Sequence, residues 1–390
     1  MRFRTRAIHV GQDPDPQSGA IVPPIHVAST FVQPDASMTA PYDYARTGSP
    51  TRHAFEAALA SLDSGTRALA FASGMAATHC VTQLLSVGDH IVTGNDIYGG
   101  TWRLFNRVLP DHGITVTAVD TTDTAAVARA ITPATKLVWI ESPGNPLLSI
   151  TDIAACAEIT HAAGAILACD TTLATPVLTR PLELGADIVM HSATKYIGGH
   201  SDLLGGAIVT RDEPLGTRLH WLQNATGGVM GPFESFLCSR GLKTLELRVL
   251  AQSATAQRLA EWLTGLPGVA RVLYPGLPQH PGHALAARQM HGGFGAMVSF
   301  EVAGKPGSDA AEVLACARRI CESTRLFRLA VSLGAVESLI ELPAVMSHGS
   351  YEPTARRASG IADGLIRLSV GLEAFEDLRD DLDAAIKSAV

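Results

Sequence analysis

Apolar and polar positions along this chain change rhythm at about Arg67. Ahead of that point Pro14, Pro16, Pro23, Pro24, Pro34 and Pro41 interrupt any helical period, and a segment so punctuated reads as an extended arm without a core of its own. Beyond it, short apolar runs alternate with amphipathic ones. RALAFAS, MAATHCVTQLLSV, HIVTG and TWRLFNRVL come first, followed by ITVTAV, KLVWIE, AILACD, DIVMHS and GGAIVT. Strands that are apolar on both faces and separated by helices predict an α/β fold with a mostly parallel sheet sandwiched by helices. The stretch PFESFLCSRGLKTLELRVLAQSATAQRLAEWL carries charges at helical spacing and predicts one long bridging helix. After Gly268, strands near ARVLY, GAMVSFEV and LIRLSV, with helices in the 310s and at the C-terminus, predict a second, smaller α/β unit. The expected organisation is an arm over 1–60, a large domain over 61–245 and a C-terminal domain over 246–390.

Composition narrows the function classes. Of 390 residues 46% are hydrophobic and 17% charged, enough apolar material for a sizeable globular core. The net charge of −7 and scattered arginines argue against a nucleic-acid surface, which needs a basic stripe. No apolar run is long enough for a membrane span, and the opening MRFRTRAIHVGQ has no apolar stretch behind its positive charges, so a cytoplasmic protein is expected. The six cysteines form no C-x-x-C pair and sit in apolar runs, which reads as buried reduced thiols. His280, His283 and His291 offer a zinc reading, but the PQHPGH spacing lacks accompanying carboxylates or cysteines; solvent-facing turn histidines and no metal are expected.

The chemistry starts at HSATKYIGGHSD. Lys195 sits at a strand's end beside small hydroxyl residues and ahead of two glycines, where a buried amine is costly unless something uses it. Such a lysine, its proton affinity lowered by burial, can form a Schiff base; a surface lysine is the alternative for S-A-T-K alone. Asp170 closes the apolar run AILACD, at the carboxyl end of a parallel strand, where such sheets bind ligands. There it can either cap a helix or pair with the pyridine nitrogen of pyridoxal 5'-phosphate. Ser73, Gly74 and Met75 join a strand to a helix whose first N–H groups can meet a phosphate, with Ser192 and Thr194 as further donors. Tyr98 follows another strand, placed either to stack on a flat ring and handle protons or to be half-buried core.

In these residues and their order, the chain resembles the cysteine/methionine-metabolism family of pyridoxal-phosphate enzymes over nearly its whole length. The matching stretches are YARTGSPTR, FASGMAAT, YGGTWRLF, ESPGNP, HSATKYIGGHSD, VSLGAVESLIELPAVMSH and LIRLSVGLE. The resemblance implies that Lys195 is the Schiff-base lysine, Asp170 the partner of the ring nitrogen and Tyr98 the stacking, proton-handling tyrosine. Ser73, Gly74, Met75, Ser192 and Thr194 fall at its phosphate-binding positions. Tyr44 and Arg46 match a Y-x-R that reaches the phosphate of a neighbouring subunit, which gives the arm a purpose and implies a homo-oligomer, a tetramer built from dimers with shared active sites. Asn145, Ser332 and Arg367 fall where relatives hold the substrate carboxylate or the ring oxygen, and Glu337 where enzymes handling cystathionine have a carboxylate for its distal ammonium. Thr171, Ser49 and Gly144 depart from the family's usual asparagine, asparagine and serine or threonine.

Within the family, Gly100 replaces the cysteine of methionine γ-lyases, and Leu333 the tryptophan of cystathionine β-lyases. Runs such as FASGMAAT and VMGPFESFLCSRGLKTL look closest to bacterial cystathionine γ-lyases. The resemblance therefore implies α,γ-elimination of the small amino acid L-cystathionine to cysteine, 2-oxobutanoate and ammonia. The alternative is γ-replacement of an acylated homoserine by cysteine, as in cystathionine γ-synthases, or related chemistry on another sulfur amino acid.

Overall fold

The computed structural model describes residues 1–305, 307–349 and 352–389. The alternating runs become β1 (Arg67–Phe71), β2 (His90–Gly94), β3 (Thr115–Val119), β4 (Thr135–Glu141), β5 (Ile166–Asp170), β6 (Ile188–His191) and β7 (Gly206–Thr210). They form one seven-stranded sheet in the order β1-β7-β6-β5-β4-β2-β3, in which only β7 runs antiparallel to its neighbours. The central strands are buried along their length, as unbroken apolar runs require. Each fully buried Ile or Leu contributes about 2 kcal/mol, so this slab is the rigid part of the molecule. Side chains on the loops at its edge are positioned against it. β3 departs from the expected pattern: it is the sheet's edge, and most of its residues are exposed or half-buried.

A second, five-stranded sheet contains β8 (Val269–Leu273), β9 (Met297–Val302), β10 (Arg328–Leu329), β11 (Leu339–Glu341) and β12 (Leu365–Ser369), in the order β10-β11-β12-β9-β8. The helices Ala310–Ser323 and Phe375–Ala389 pack on one another beside it. The bridging stretch is two helices rather than one, Pro232–Leu242 and Leu245–Thr264. The break lies where Gly241 meets the segment after Lys195 so closely that a Cβ would stand 2.1 Å from the Ile197 carbonyl oxygen. Arg248, buried on the second helix, donates to the Tyr196 carbonyl at 2.7 Å and to the Gly241 carbonyl at 2.9 Å, tying the Lys195 turn to both helices.

The arm is extended between a short helix, Phe3–His9, which the proline pattern did not announce, and the helix Pro50–Leu62. Ser49 caps that second helix by accepting from Arg52 N, a task the family's asparagine would also perform, so the departure keeps the cap. All six cysteines are free and buried. His280 is buried rather than solvent-facing: its Nδ1 accepts from Gly282 N, while His283 Nδ1 bonds the Pro275 carbonyl, so both fix the turn. Among the described residues, no three potential metal ligands come together and no helix is long and apolar enough to cross a membrane.

Candidate active site

The carboxyl ends of β1, β2, β4, β5 and β6 face the second sheet across a cavity of about 420 Å³. Of the fourteen candidate site residues read from the sequence, eleven line it: Ser73, Gly74, Met75, Tyr98, Asn145, Asp170, Ser192, Thr194, Lys195, Ser332 and Arg367. Three do not. Tyr44 and Arg46 line a separate cavity of about 300 Å³, where Arg46 bonds Asn224 and lies over the Tyr44 ring. Glu337 is exposed and off the main cavity, whereas Glu341 is in its wall.

Lys195 Nζ donates to Ser332 Oγ at 2.6 Å. Burial lowers the amine's pKa to about 8; Arg367 lowers it further and Glu341 opposes. A substantial fraction is therefore neutral near physiological pH, the state a nucleophilic lysine needs. Ser332 has φ of 94°, a conformation that disfavours a side chain, and Arg367 Nη2 donates to its carbonyl at 2.8 Å. The strain holds the hydroxyl against the lysine.

Asp170 ends β5 almost fully buried and accepts from Thr172 N at 2.9 Å. Burial raises its pKa, while the Thr172 bonds and nearby His191 pull it back. Its cross-strand neighbour Glu141 is pushed well above the usual carboxylate range by burial and by Asp170's charge. Both Glu141 oxygens accept from Tyr98 N at 3.0 Å, fixing the start of the helix Gly99–Arg103. The Tyr98 ring itself is half-exposed in the cavity.

Ser73 caps the helix Gly74–Thr82 by accepting from Ala76 N at 3.1 Å, leaving the first-turn N–H groups of Gly74 and Met75 without intrahelical partners. This turn is tightly packed: a Cβ on Gly74 would lie 3.1 Å from Ser192 Cβ, and one on Gly206 2.2 Å from the Ser73 carbonyl oxygen. On the far wall, Arg367 bonds Asn145 Oδ1 at 2.9 Å and Glu341 Oε2 at 2.5 Å.

Two departures from the family pattern have steric reasons. A Cβ on Gly144 would lie 2.4 Å from Ser149 Oγ and 2.6 Å from Asp96 Oδ2, which bond each other. A Cβ on Gly100 would lie 2.5 Å from Tyr98 Cε1, so a cysteine there would displace the ring. Thr171 is buried with its hydroxyl unpartnered, and nothing in the structure explains it.

The sequence model of the family described as Cys/Met metabolism PLP-dependent enzyme matches residues 4–387. The chain belongs to that family. As a member of the Cys/Met-metabolism PLP-dependent enzymes, it is a pyridoxal-phosphate enzyme of sulfur amino acid metabolism. It is 51% identical over 384 residues to a cystathionine γ-synthase of Mycobacterium tuberculosis, covering 98% of this chain and 96% of that protein. It is 49% identical over 384 residues to a cystathionine β-lyase of Coxiella burnetii, covering 98% of this chain and 97% of that one. A solved cystathionine γ-lyase from Lactobacillus plantarum, complexed with L-serine, superposes with a TM-score of 0.94 at 48% identity, covering 100% of this chain and 99% of that one. Three reactions are represented at nearly equal identity, so family membership leaves the reaction open.

The cavity fits the cofactor of this family. Asp170 is a buried carboxyl whose proton affinity a cationic ring nitrogen would lower. The unpaired N–H groups of Gly74 and Met75 suit a phosphate. Lys195 is a partly neutral amine in the wall of the same cavity. Glu141, Glu341 and Arg103 also line the cavity and received no role from the sequence. The available signal for the two glutamates was the one used for Asp170, a carboxylate closing an apolar strand, in KLVWIE and SLIE.

Proposed function

We propose that the protein carries out α,γ-elimination on L-cystathionine, releasing cysteine, 2-oxobutanoate and ammonia. The observation that carries this reading is the convergence of Lys195, Asp170 and Arg367 on one cavity that has a cation, Arg103, exposed at its wall. An amino acid whose far end bears a second carboxylate matches a site with one buried and one exposed guanidinium. Bound pyridoxal phosphate supplies an electron sink for the pair left at the α-carbon.

In this reading Lys195 holds the cofactor, Asp170 pairs with the ring nitrogen, and Ser73, Gly74, Met75, Ser192 and Thr194 hold the phosphate. Arg367, set by Asn145 and Ser332, takes the α-carboxylate. Lys195 would take the α-proton, pass it on to the cofactor and, neutral again, take a β-proton, with Ser332 Oγ keeping its amine in reach. The Tyr98 hydroxyl hands a proton to the departing cysteine sulfur. Water then completes the balance: cystathionine and water give cysteine, 2-oxobutanoate and ammonia. Tyr44 and Arg46, held away from their own cavity, serve the phosphate of a neighbouring subunit in a cytoplasmic homotetramer. The proposed division is an arm over 1–60, a large domain over 61–245 and a C-terminal domain over 246–390, a reading supported by the two separate sheets.

γ-Replacement is the second reading, favoured by the 51% identity to a γ-synthase. The purified holoenzyme given cystathionine alone is expected to form 2-oxobutanoate. If none forms, while acylated homoserine and cysteine yield cystathionine, the elimination reading fails and the synthase reading replaces it. Arg103→Ala is expected to raise KM for cystathionine about tenfold with little change in kcat, since it removes a contact at the remote carboxylate. An unchanged KM removes Arg103 from substrate recognition.

A further inference from the structure

Glu341 and Arg367 are direct partners in the antiparallel register of β11 and β12, and they are 1% and 3% exposed. A buried ion pair is a weak stabiliser, because desolvating two charges costs about as much as their attraction returns. An apolar pair would join these strands as well. The pair's geometry points elsewhere.

The guanidinium is held on several sides. Nη2 donates to Glu341 Oε2 at 2.5 Å and to the Ser332 carbonyl at 2.8 Å, and Nη1 donates to Asn145 Oδ1 at 2.9 Å. Nε, although buried, makes no hydrogen bond. Two N–H directions, Nε and the second on Nη1, therefore remain unclaimed. Glu341 is itself pinned from its other oxygen: Oε1 accepts from Ser347 Oγ, and that hydroxyl lies 2.9 Å from His348 Nδ1. Arg367, Glu341 and Ser347 all line the Lys195 cavity.

We infer that Glu341 is a positioning residue for amino-acid recognition: with Ser347 it fixes the orientation of Arg367 toward the substrate's α-carboxylate and offsets that cation beside Lys195. The inference rests on the reading that Arg367 takes the carboxylate. Its two halves separate cleanly. Orientation depends on the length of the side chain at 341, and charge compensation on its ionisation. Arg367 lowers the proton affinity of Lys195 and Glu341 raises it, in line with the second half.

The test uses the holoenzyme and glycine, a probe with an α-amine and α-carboxylate but no leaving group, titrated through the visible absorbance of the bound cofactor. Glu341→Asp keeps the charge and shortens the reach; its Kd for glycine is expected to rise about tenfold, with the pH midpoint of the absorbance band unmoved. Glu341→Gln keeps the reach and removes the charge; its Kd is expected to stay within about threefold while the midpoint falls by about one unit. An unchanged Kd in Glu341→Asp overturns the orientation half, and an unchanged midpoint in Glu341→Gln overturns the other. If Glu341→Asp does not fold, Ser347→Ala, which frees Glu341 from its other side, is expected to weaken glycine binding about threefold, and no change in it overturns the orientation half. Arg367→Lys is the control: weaker glycine binding there with none in Glu341→Asp removes the inference alone, whereas unchanged binding in Arg367→Lys removes the carboxylate reading and the inference with it.

Discussion

Lys195→Ala is expected to abolish covalent capture of pyridoxal phosphate and to lower kcat by about 10⁴-fold or more, because one side chain is asked both to hold the cofactor and to move two protons. Loss of the visible band in the purified variant checks the first role and single-turnover assays the second. Normal activity in Lys195→Ala would falsify the assignment. The pH dependence carries a sign. Burial brings the amine to about 8 from its ordinary 10.5, so its neutral, nucleophilic form reaches half at about pH 8 and is nearly complete only more than about one unit above it. After removal of the cofactor, the rate at which added pyridoxal phosphate is recaptured should climb with a midpoint at about pH 8 and level off about one unit above it. A rate still climbing toward the range of an ordinary lysine would mean that the amine is not desolvated as the structure has it.

Much of the scaffold was legible because its strands are buried on both faces. AILACD and DIVMHS read as strands buried on both faces; Asp170 closes the first and Lys195 sits on the turn after the second. Patterns were less informative where burial is partial. ITVTAV has the composition of a central strand but forms the exposed edge, since periodicity does not encode strand order. The bridging stretch has an unbroken helical period, yet it is two helices that part at Lys243 and Thr244, beside the place where Gly241 packs on the Ile197 carbonyl. Such long-range contacts leave no local mark.

The site was legible in the same uneven way. Residues on turns after strands converge in the structure, but Glu341, its partner Arg367 and the capping Ser347 meet only through pairing of β11 with β12 and the turn beyond. Family resemblance supplied Arg367 without supplying what orients it. Resemblance also directed attention to Glu337, while the structure places Glu341 in the cavity wall and leaves Glu337 exposed. Both carboxylates lie in one motif, and only Glu341 closes an apolar strand; it is the buried one.

Asp170→Asn is expected to lower kcat by about 10²- to 10³-fold while leaving the cofactor attached through Lys195. The reason lies in the pair of acids beneath the cavity. Glu141 and Asp170 are register partners on β4 and β5, both buried, and two negative charges there would repel at low local polarity. Burial and that repulsion push Glu141 well above the carboxylate range; burial raises Asp170 too, but there the Thr172 bonds and nearby His191 pull back, so Glu141 is the acid that holds its proton more readily. The division gives each acid a different task. A protonated Glu141 still accepts the Tyr98 N–H and fixes the tyrosine, and an ionised Asp170 remains to stabilise a protonated ring nitrogen. Asparagine at 170 keeps the shape and the bond from Thr172 N but cannot supply the charge, so the loss should fall on kcat rather than on KM, with the visible band still present. A variant that keeps kcat within about threefold would show that the ring nitrogen gets its proton without this carboxylate.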